Sequence, residues 1–140
     1  MLEPEIVTFH IEASKTKERT MNIINEIKNN GSRVGIAISP DTKIDEILEY
    51  LPYVHMVLVM TVVPGKGGQK LIPETLLKVK ELRDYIENNK DLDLDIDIEV
   101  DGGINDKTAI EAKEAGANIL GAGNYLISAE NMNEAVNKIK

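Results

Sequence analysis

Residues 56–68 read MVLVMTVVPGKGG, an apolar run that leads directly into a glycine-rich segment. The run at 56–60 is apolar without alternation, which is typical of a strand buried on both faces of a parallel sheet. The glycines within 65–68 predict a loop, and Pro73 then begins a helical pattern, because proline suits the first turn of a helix. Together these features predict one unit of strand, loop and helix.

The same pattern occurs five times in the 140 residues. The predicted strands lie at residues 6–11, 34–38, 56–60, 92–101 and 119–122. Apolar residues at helical spacing predict the intervening helices, among them Met21, Ile24, Ile27, then Ile44, Ile47, Leu48, Leu51, and then Leu76, Val79, Leu82 and Ile86. Strands joined by helices form a parallel sheet with right-handed crossovers, so we predict an α/β fold of five parallel βα units.

Such units build either an open doubly wound sheet or a closed (βα)8 barrel. No low-complexity linker divides the sequence, so residues 1–140 are predicted to form a single structural unit. Five units of about 28 residues each fill this length, whereas a closed barrel needs eight. A barrel reading therefore leaves the chain about three units short.

The chain is acidic, with 16 Lys and Arg against 24 Asp and Glu and a formal net charge of −8. It is poorly suited to neutralise nucleic-acid phosphates or to lie on an anionic membrane, so we expect neither partner. It contains no cysteine, which excludes disulfides, thiol nucleophiles and cysteine-based metal sites from these residues. No apolar run reaches the roughly 18 residues of a membrane span, and the N-terminus does not resemble a signal peptide, so a cytoplasmic location is expected.

Glycine clusters follow the third, fourth and fifth predicted strands, at 65–68, 102–103 and 121–123. These positions are carboxyl ends of parallel strands, where α/β proteins bind ligands. Each cluster is either a tight turn or a place where backbone amides approach an anion such as phosphate. Neither the dinucleotide pattern Gly-x-Gly-x-x-Gly nor the nucleotide-triphosphate loop is present, which disfavours those ligands.

Asp101 is the leading acidic candidate, because it ends an alternating strand and precedes two glycines. It is predicted to point at the ligand edge, as a general base, a metal ligand or a cap of the following turn. Glu99 is one pleat below it and needs a partner if it is buried.

His10 and Glu12 are predicted at the end of the first strand, on one side of its pleat, with His10 in the core or behind the reacting residues. Met60 ends the third strand and is either packing or a polarizable thioether beside the reacting centre. His55 begins that strand at the opposite end, so no role is assigned to it.

Four segments resemble motifs of the ribulose-phosphate 3-epimerase family. They are His-Ile-Glu-Ala at 10–13, Met-Thr-Val-Val-Pro-Gly-Lys-Gly-Gly-Gln at 60–69, Glu-Val-Asp-Gly-Gly-Ile at 99–104, and Ala-Gly-Ala at 115–117 leading to Ala-Gly-Asn at 122–124. They occur in the family's order and with similar spacing. The resemblance implies a partial TIM (βα)8 barrel comprising strands four to eight, the C-terminal portion of a ribulose-phosphate-binding barrel.

The resemblance also implies a reaction, namely epimerisation of D-ribulose 5-phosphate and D-xylulose 5-phosphate at C3 with two acid/base residues and a divalent metal (Zn, Fe, Mn or Co). By analogy, Asp101 is both a catalytic residue and a metal ligand. The residues that correspond to substrate- and phosphate-binding positions are Met60, Gly65, Lys66, Gly67, Gly68, Gly102, Gly103, Gly123 and Asn124.

Departures from the family pattern qualify these expectations. Val63 and Lys66 replace the usual asparagine and phenylalanine of the glycine loop, and Asn124 replaces a serine. The His-x-Asp of the family's second strand and the histidine of its third have no counterpart in the 140 residues. We therefore expect the isolated chain to be inactive and not to retain the metal. An open sheet of five strands also leaves two bare edges and an unclosed interior, so we expect a homo-oligomer.

Alternatives remain open: a ketohexose-phosphate 3-epimerase, a phosphate-binding half-barrel interaction module, or a phosphate-binding barrel with another reaction.

Overall fold

The computed structural model describes residues 5–62, 70–92, 94–102 and 106–121. Its strands are β1 (Ile6–His10), β2 (Arg33–Ile38), β3 (Met56–Met60), β4 (Asp97–Asp101) and β5 (Ile119–Gly121). Its α-helices are α1 (Ile11–Ser14), α2 (Lys17–Asn29), α3 (Pro73–Asn88) and α4 (Asp106–Ala115). All four strand pairings are parallel, and the sheet has the order β1-β2-β3-β4-β5. The prediction of an α/β fold with five parallel strands is confirmed.

The described helices pack their apolar residues on one face of this sheet. Val57 and Val59 of β3 and Ile98 and Val100 of β4 are fully buried there. They form a single core with residues of α2, α3 and α4, among them Ile24, Ile27, Val79, Leu82, Ile86, Ala109 and Ala112. This arrangement follows from the alternation of side chains along each strand.

The opposite face of the sheet is only partly covered. Leu58 and Met60 alternate with the buried valines of β3 and are partly exposed, as are Glu99 and Asp101 on β4. The prediction that β3 is buried on both faces is therefore wrong for Leu58 and Met60. A sheet with one layer of helices is the arrangement of a (βα) barrel wall, whereas a doubly wound sheet carries helices on both faces.

The segment after β2 differs from the predicted helix with Ile44 and Leu51 on one face. It contains two 3₁₀ helices, Ile44–Glu46 and Leu48–Tyr53. Pro52 lies inside the second, and its missing N–H removes the bond that an α-helix would form to the carbonyl four residues earlier. Short 3₁₀ turns replace the α-helix because they need bonds across only three residues.

Two predicted strands are shorter than expected. β4 begins at Asp97 because its register partner, Met56, is the first residue of β3, and residues 92 and 94–96 have no partner strand in the described structure. β1 ends at His10, and the chain turns into α1 at Ile11. Of the described helices, none is long and apolar enough to span a membrane.

Candidate functional site

The parallel register brings Met60 and Asp101 side by side at the carboxyl edge of the sheet. Met60 is the register partner of Asp101, and Asp101 is in turn the partner of Gly121 on β5. Neighbouring strands lie about 4.8 Å apart, and paired residues project toward the same face. Both side chains therefore belong to the open face, at the edge where ligands bind in parallel α/β proteins.

Gly102 directly follows Asp101 and completes the described part of the predicted site. The other predicted site residues lie outside the described residues: Gly65, Lys66, Gly67, Gly68, Gly103, Gly123 and Asn124.

The carboxyl groups of Asp101 and Glu99 are both partly buried, one pleat apart on β4. Burial raises the pKa of Asp101 above its ordinary value. The pKa of Glu99 is raised too, first by burial and then by the negative charge of Asp101. Neighbouring carboxylates on a half-desolvated strand resist simultaneous ionisation, so the pair binds a proton more readily than two exposed carboxylates would.

Thr61 connects the ends of β3 and β4. Its N–H donates to the Asp101 carbonyl at 2.9 Å, and its single hydroxyl proton is shared between the same carbonyl, 2.8 Å from Oγ1, and the Gly102 carbonyl. The side chain is fully buried. Sequence reasoning did not single out Thr61, because its partners are about 40 residues away along the chain.

Gly102 is required where the chain leaves β4. Its φ is +111°, in the region that residues with a Cβ rarely adopt. A Cβ at this position would also collide with the side chain of Val62. The end of β4 is thus packed directly against the segment that leaves β3.

Glu12 lies in α1 rather than on the pleat of β1, so the prediction that it continues the strand is wrong. Its Oε2 accepts hydrogen bonds from the Ser39 N–H at 3.1 Å and from Thr42 Oγ1 at 2.5 Å. Burial works to raise the pKa of Glu12, but the hydrogen bonds outweigh it and hold the pKa below the ordinary value. The carboxylate therefore fastens the loop after β2 to α1.

The same loop is held from the other side by Lys78 of α3. Its Nζ donates to the carbonyls of Ser39 at 3.0 Å and Pro40 at 2.8 Å. His10 Nδ1 lies 3.7 Å from Glu12 Oε1, and the His10 side chain is 47% exposed, so His10 is not a core residue.

His55 lies just before β3, at the opposite end of the sheet as predicted. Its Nδ1 accepts a hydrogen bond from the Val34 N–H at 3.0 Å. The sequence did not reveal this contact, because the two residues are 21 positions apart. Burial lowers the pKa of His55, and the positive charges of Lys28 and Arg33 lower it further.

Comparison with known proteins identifies the family of this chain. The model of the "Ribulose-phosphate 3 epimerase family" matches residues 1–127. The chain belongs to this family. The match includes β1 to β5 and therefore both Met60 and Asp101.

Two relatives illustrate the similarity. The ribulose-phosphate 3-epimerase of Eremothecium gossypii is 40% identical over 133 residues, which cover 95% of this chain and 52% of the relative. That of Methanocaldococcus jannaschii is 41% identical over 139 residues, which cover 99% and 56%. The chain thus spans about half the length of the curated relatives it matches.

Solved structures agree on the fold. The crystal structure of 3-hexulose-6-phosphate synthase aligns with a TM-score of 0.69 and 16% identity, covering 96% of this chain and 60% of that one. A mutant flavocytochrome b2 with pyruvate bound aligns with a TM-score of 0.60 and 18% identity, covering 99% and 41%. The architecture is that of a partial (βα) barrel.

The divalent metal implied by the ribulose-phosphate 3-epimerase family has no complete set of ligands in the described part of the chain. No group of three or more His, Asp or Glu side chains that could hold a metal ion occurs among those residues. Asp101 has Glu99 as its nearest acidic neighbour on β4, and two carboxyl groups on one strand do not enclose an ion. The described residues do not fit the metal.

Proposed function

We propose that this chain supplies Asp101, one of the two acid/base residues, to a ribulose-phosphate 3-epimerase acting on D-ribulose 5-phosphate and D-xylulose 5-phosphate. The observation that carries the proposal is the match of residues 1–127 to the epimerase family. The proposal also takes residues 1–140 as one structural unit and the cytoplasm as its location.

The reaction explains why a carboxylate is needed. The C3 proton of a ketopentose phosphate is acidic because the C2 carbonyl can accept the electron pair. When a carboxylate takes that proton, the C3–H electron pair forms a C2–C3 double bond and the C2 oxygen becomes part of an enediolate. Return of a proton to the opposite face inverts C3, so each face needs its own acid/base group. We assign Asp101 to one face and no residue of this chain to the other.

The surroundings of Asp101 support that assignment. Burial raises its pKa, and a carboxylate with a raised pKa is a stronger base. Met60 is its register partner, so a thioether lies next to the place where the enediolate would form.

The glycine positions are proposed to bind the substrate and its phosphate through backbone amides. This suits an acidic chain, because amides bind an anion without net positive charge, and Lys66 is the one cation inside the clusters. The positions proposed are Gly65, Lys66, Gly67, Gly68, Gly102, Gly103, Gly123 and Asn124, together with Met60.

Asp101 is proposed as a metal ligand only in a protein that supplies the further ligands, since the described residues do not fit the ion. The 140-residue chain alone is therefore expected to be inactive.

Two measurements test this proposal. The purified chain and its Asp101→Asn variant are assayed for epimerisation of D-ribulose 5-phosphate, with Zn²⁺, Fe²⁺, Mn²⁺ and Co²⁺ added in turn. We expect no difference between them, and activity above the variant would contradict the expected inactivity. Loss of deuterium from D-ribulose 5-phosphate labelled at C3 is followed with the same proteins, because it reports removal of the C3 proton directly.

Substrate recognition is tested by titrating D-ribulose 5-phosphate into labelled protein while NMR follows the Met60 methyl group and the Gly102 amide. We expect both signals to shift. A hexulose 6-phosphate is titrated in the same way to test the alternative, a ketohexose-phosphate 3-epimerase. No shift with either sugar phosphate would contradict the proposed binding role, and a stronger response to the hexulose phosphate would favour the alternative.

We further propose that the chain forms a homo-oligomer. β1 and β5 are the outer strands of the sheet, so each leaves one edge without a partner strand in the part of the chain that the structure describes. Unpaired edges and a partly uncovered face favour self-association, and a second copy of the chain is the proposed occupant. This observation also keeps the interaction-module alternative open.

A further inference from the structure

Thr61 occupies a position where packing alone would accept valine. It follows Val57 and Val59 at every second residue, on the face that the helices cover, and all three side chains are fully buried. Threonine and valine have nearly the same shape, so the hydroxyl distinguishes this position from the two before it. Burying a hydroxyl is costly unless it is hydrogen-bonded, and here Oγ1 is bonded.

The hydrogen bonds of Thr61 join three elements. Its hydroxyl proton is shared between the carbonyls of Asp101, the last residue of β4, and Gly102, which follows it. Its own carbonyl accepts the N–H of Ile72 at 2.8 Å, and Ile72 is the residue before α3. The ends of β3 and β4 and the start of α3 are thus fixed to one residue.

This arrangement bears on Asp101. The Asp101 carbonyl accepts both the N–H and the hydroxyl of Thr61. The Asp101 side chain follows the buried Val100 on β4, so by alternation it belongs to the open face of the sheet. Because Gly102 has a left-handed backbone conformation, the ordinary strand geometry does not continue beyond Asp101. The contacts with Thr61 therefore add to the pairing of Asp101 with Met60 and Gly121 and hold the backbone at the point where β4 ends.

We propose that Thr61 is a positioning residue for Asp101: its hydroxyl fixes the end of β4 and thereby the rotamer of the Asp101 side chain relative to Met60. The proposal rests on the proposed function, in which Asp101 is the base.

The test compares Thr61→Val, Thr61→Ser and the unmodified chain by NMR. Three-bond couplings to the Asp101 Hβ protons report its χ1 rotamer, and amide exchange of Ile72 reports the bond to Thr61. We expect one Asp101 rotamer in the unmodified chain and in Thr61→Ser, but averaged couplings and at least tenfold faster Ile72 exchange in Thr61→Val. Unchanged couplings and exchange in Thr61→Val would overturn the proposal.

Thr20→Val is the matched control. Thr20 is also buried, and its Oγ1 donates to the Thr16 carbonyl at 2.8 Å, but it lies on α2. We expect this variant to lose a buried hydroxyl without changing the Asp101 couplings. If it changed them as Thr61→Val does, the effect would be one of general destabilisation and the proposal would fail. Should Thr61→Val not fold, Thr61→Ala and Thr61→Ser give a second pair that differs only in the hydroxyl.

A third readout separates this proposal from the proposed function. D-Ribulose 5-phosphate is titrated into each variant, and at least fivefold weaker binding is expected for Thr61→Val, with recovery to within twofold in Thr61→Ser. If the unmodified chain does not bind the sugar phosphate, the proposed binding role fails, while the couplings still decide the role of Thr61. If the Asp101 couplings are averaged in Thr61→Val but all variants bind D-ribulose 5-phosphate equally well, the Asp101 rotamer does not matter for binding. Thr61 would then have only a structural role, which contradicts the proposal.

Discussion

At the scale of single residues, Gly102 and Gly31 form a natural comparison. Both have positive φ, +111° and +83°. A Cβ at Gly102 would meet Val62, whereas nothing lies within 4 Å of a Cβ at Gly31. A residue with a Cβ would therefore be strained at both sites, but only at Gly102 would its Cβ also collide with a neighbour.

We predict that Gly31→Ala lowers the free energy of unfolding by about 1 kcal/mol, the cost of a left-handed alanine. Gly102→Ala adds overpacking against Val62, so its loss should be about 2–4 kcal/mol. Urea unfolding of both variants and the unmodified chain measures the difference. Equal losses at the two sites would contradict the close contact between Gly102 and Val62.

His55 gives a residue-scale prediction about pH. Its folded pKa lies below the unfolded value of about 6.5, because of burial and the charges of Lys28 and Arg33. The unfolded chain thus binds the proton more readily, so the stability that neutral His55 contributes is present above about pH 6.5 and is lost as the pH falls through the folded pKa.

We expect the contribution of His55 to the unfolding free energy to decrease from pH 7.5 to pH 5.5, so the unmodified chain loses more stability, or gains less, over this range than His55→Gln does. Urea unfolding at several pH values measures it. His10→Gln is the control, since His10 is exposed and its Nδ1 faces Glu12. An identical pH dependence in His55→Gln and the unmodified chain would contradict the lowered pKa of His55.

At the scale of elements, Lys78 ties α3 to the loop after β2. Burial lowers the pKa of Lys78, while the negative charges of Asp41, Glu12 and Glu81 oppose that shift. Its two hydrogen bonds to the carbonyls of Ser39 and Pro40 replace water that the partly buried ammonium group has lost. The helix is thus positioned by a polar contact as well as by its apolar face.

We predict that Lys78→Met destabilises the chain by about 1–3 kcal/mol, because two charge-assisted bonds are lost while the apolar stem is kept. Lys80→Met is the matched control on the exposed side of α3, and a change within about 0.5 kcal/mol is expected there. Thermal or urea unfolding compares the two. A similar effect of both substitutions would show that the loop contact contributes nothing.

At the scale of the whole molecule, the sheet has outer strands without partners in the described structure and one partly open face. Val7 of the outer strand β1 is 42% exposed, whereas Leu77 is 62% exposed on α3, on the layer of helices. If copies associate through the sheet edge, a charge at Val7 should matter more than one at Leu77.

We expect sedimentation equilibrium to show a dimer or larger assembly, and Val7→Lys to weaken the association at least tenfold, since an edge lysine discourages strand pairing. Leu77→Lys is the control and should leave the association within twofold. A monodisperse monomer at high concentration would contradict the proposed homo-oligomer. Equal weakening by both variants would move the interface away from the edge.

Much of this protein follows from local sequence. Alternating and continuous apolar runs determine the five parallel strands, because side-chain direction has a period of two along a strand. Glycine after Asp101 places that carboxyl group at a strand end, and Pro73 starts α3 as predicted. These features were predictable because each depends on residues close together in the chain.

The tertiary structure decided the rest. Thr61 reaches carbonyls 40 and 41 residues away, and Glu12 holds a loop 27 to 30 residues away, so neither role has a local pattern. The exposure of one sheet face likewise depends on which elements pack against it. Sequence by itself thus determined the strands and where Asp101 lies, and packing between distant segments decided what holds Asp101 in place, because a hydrogen bond depends on distance in space rather than along the chain.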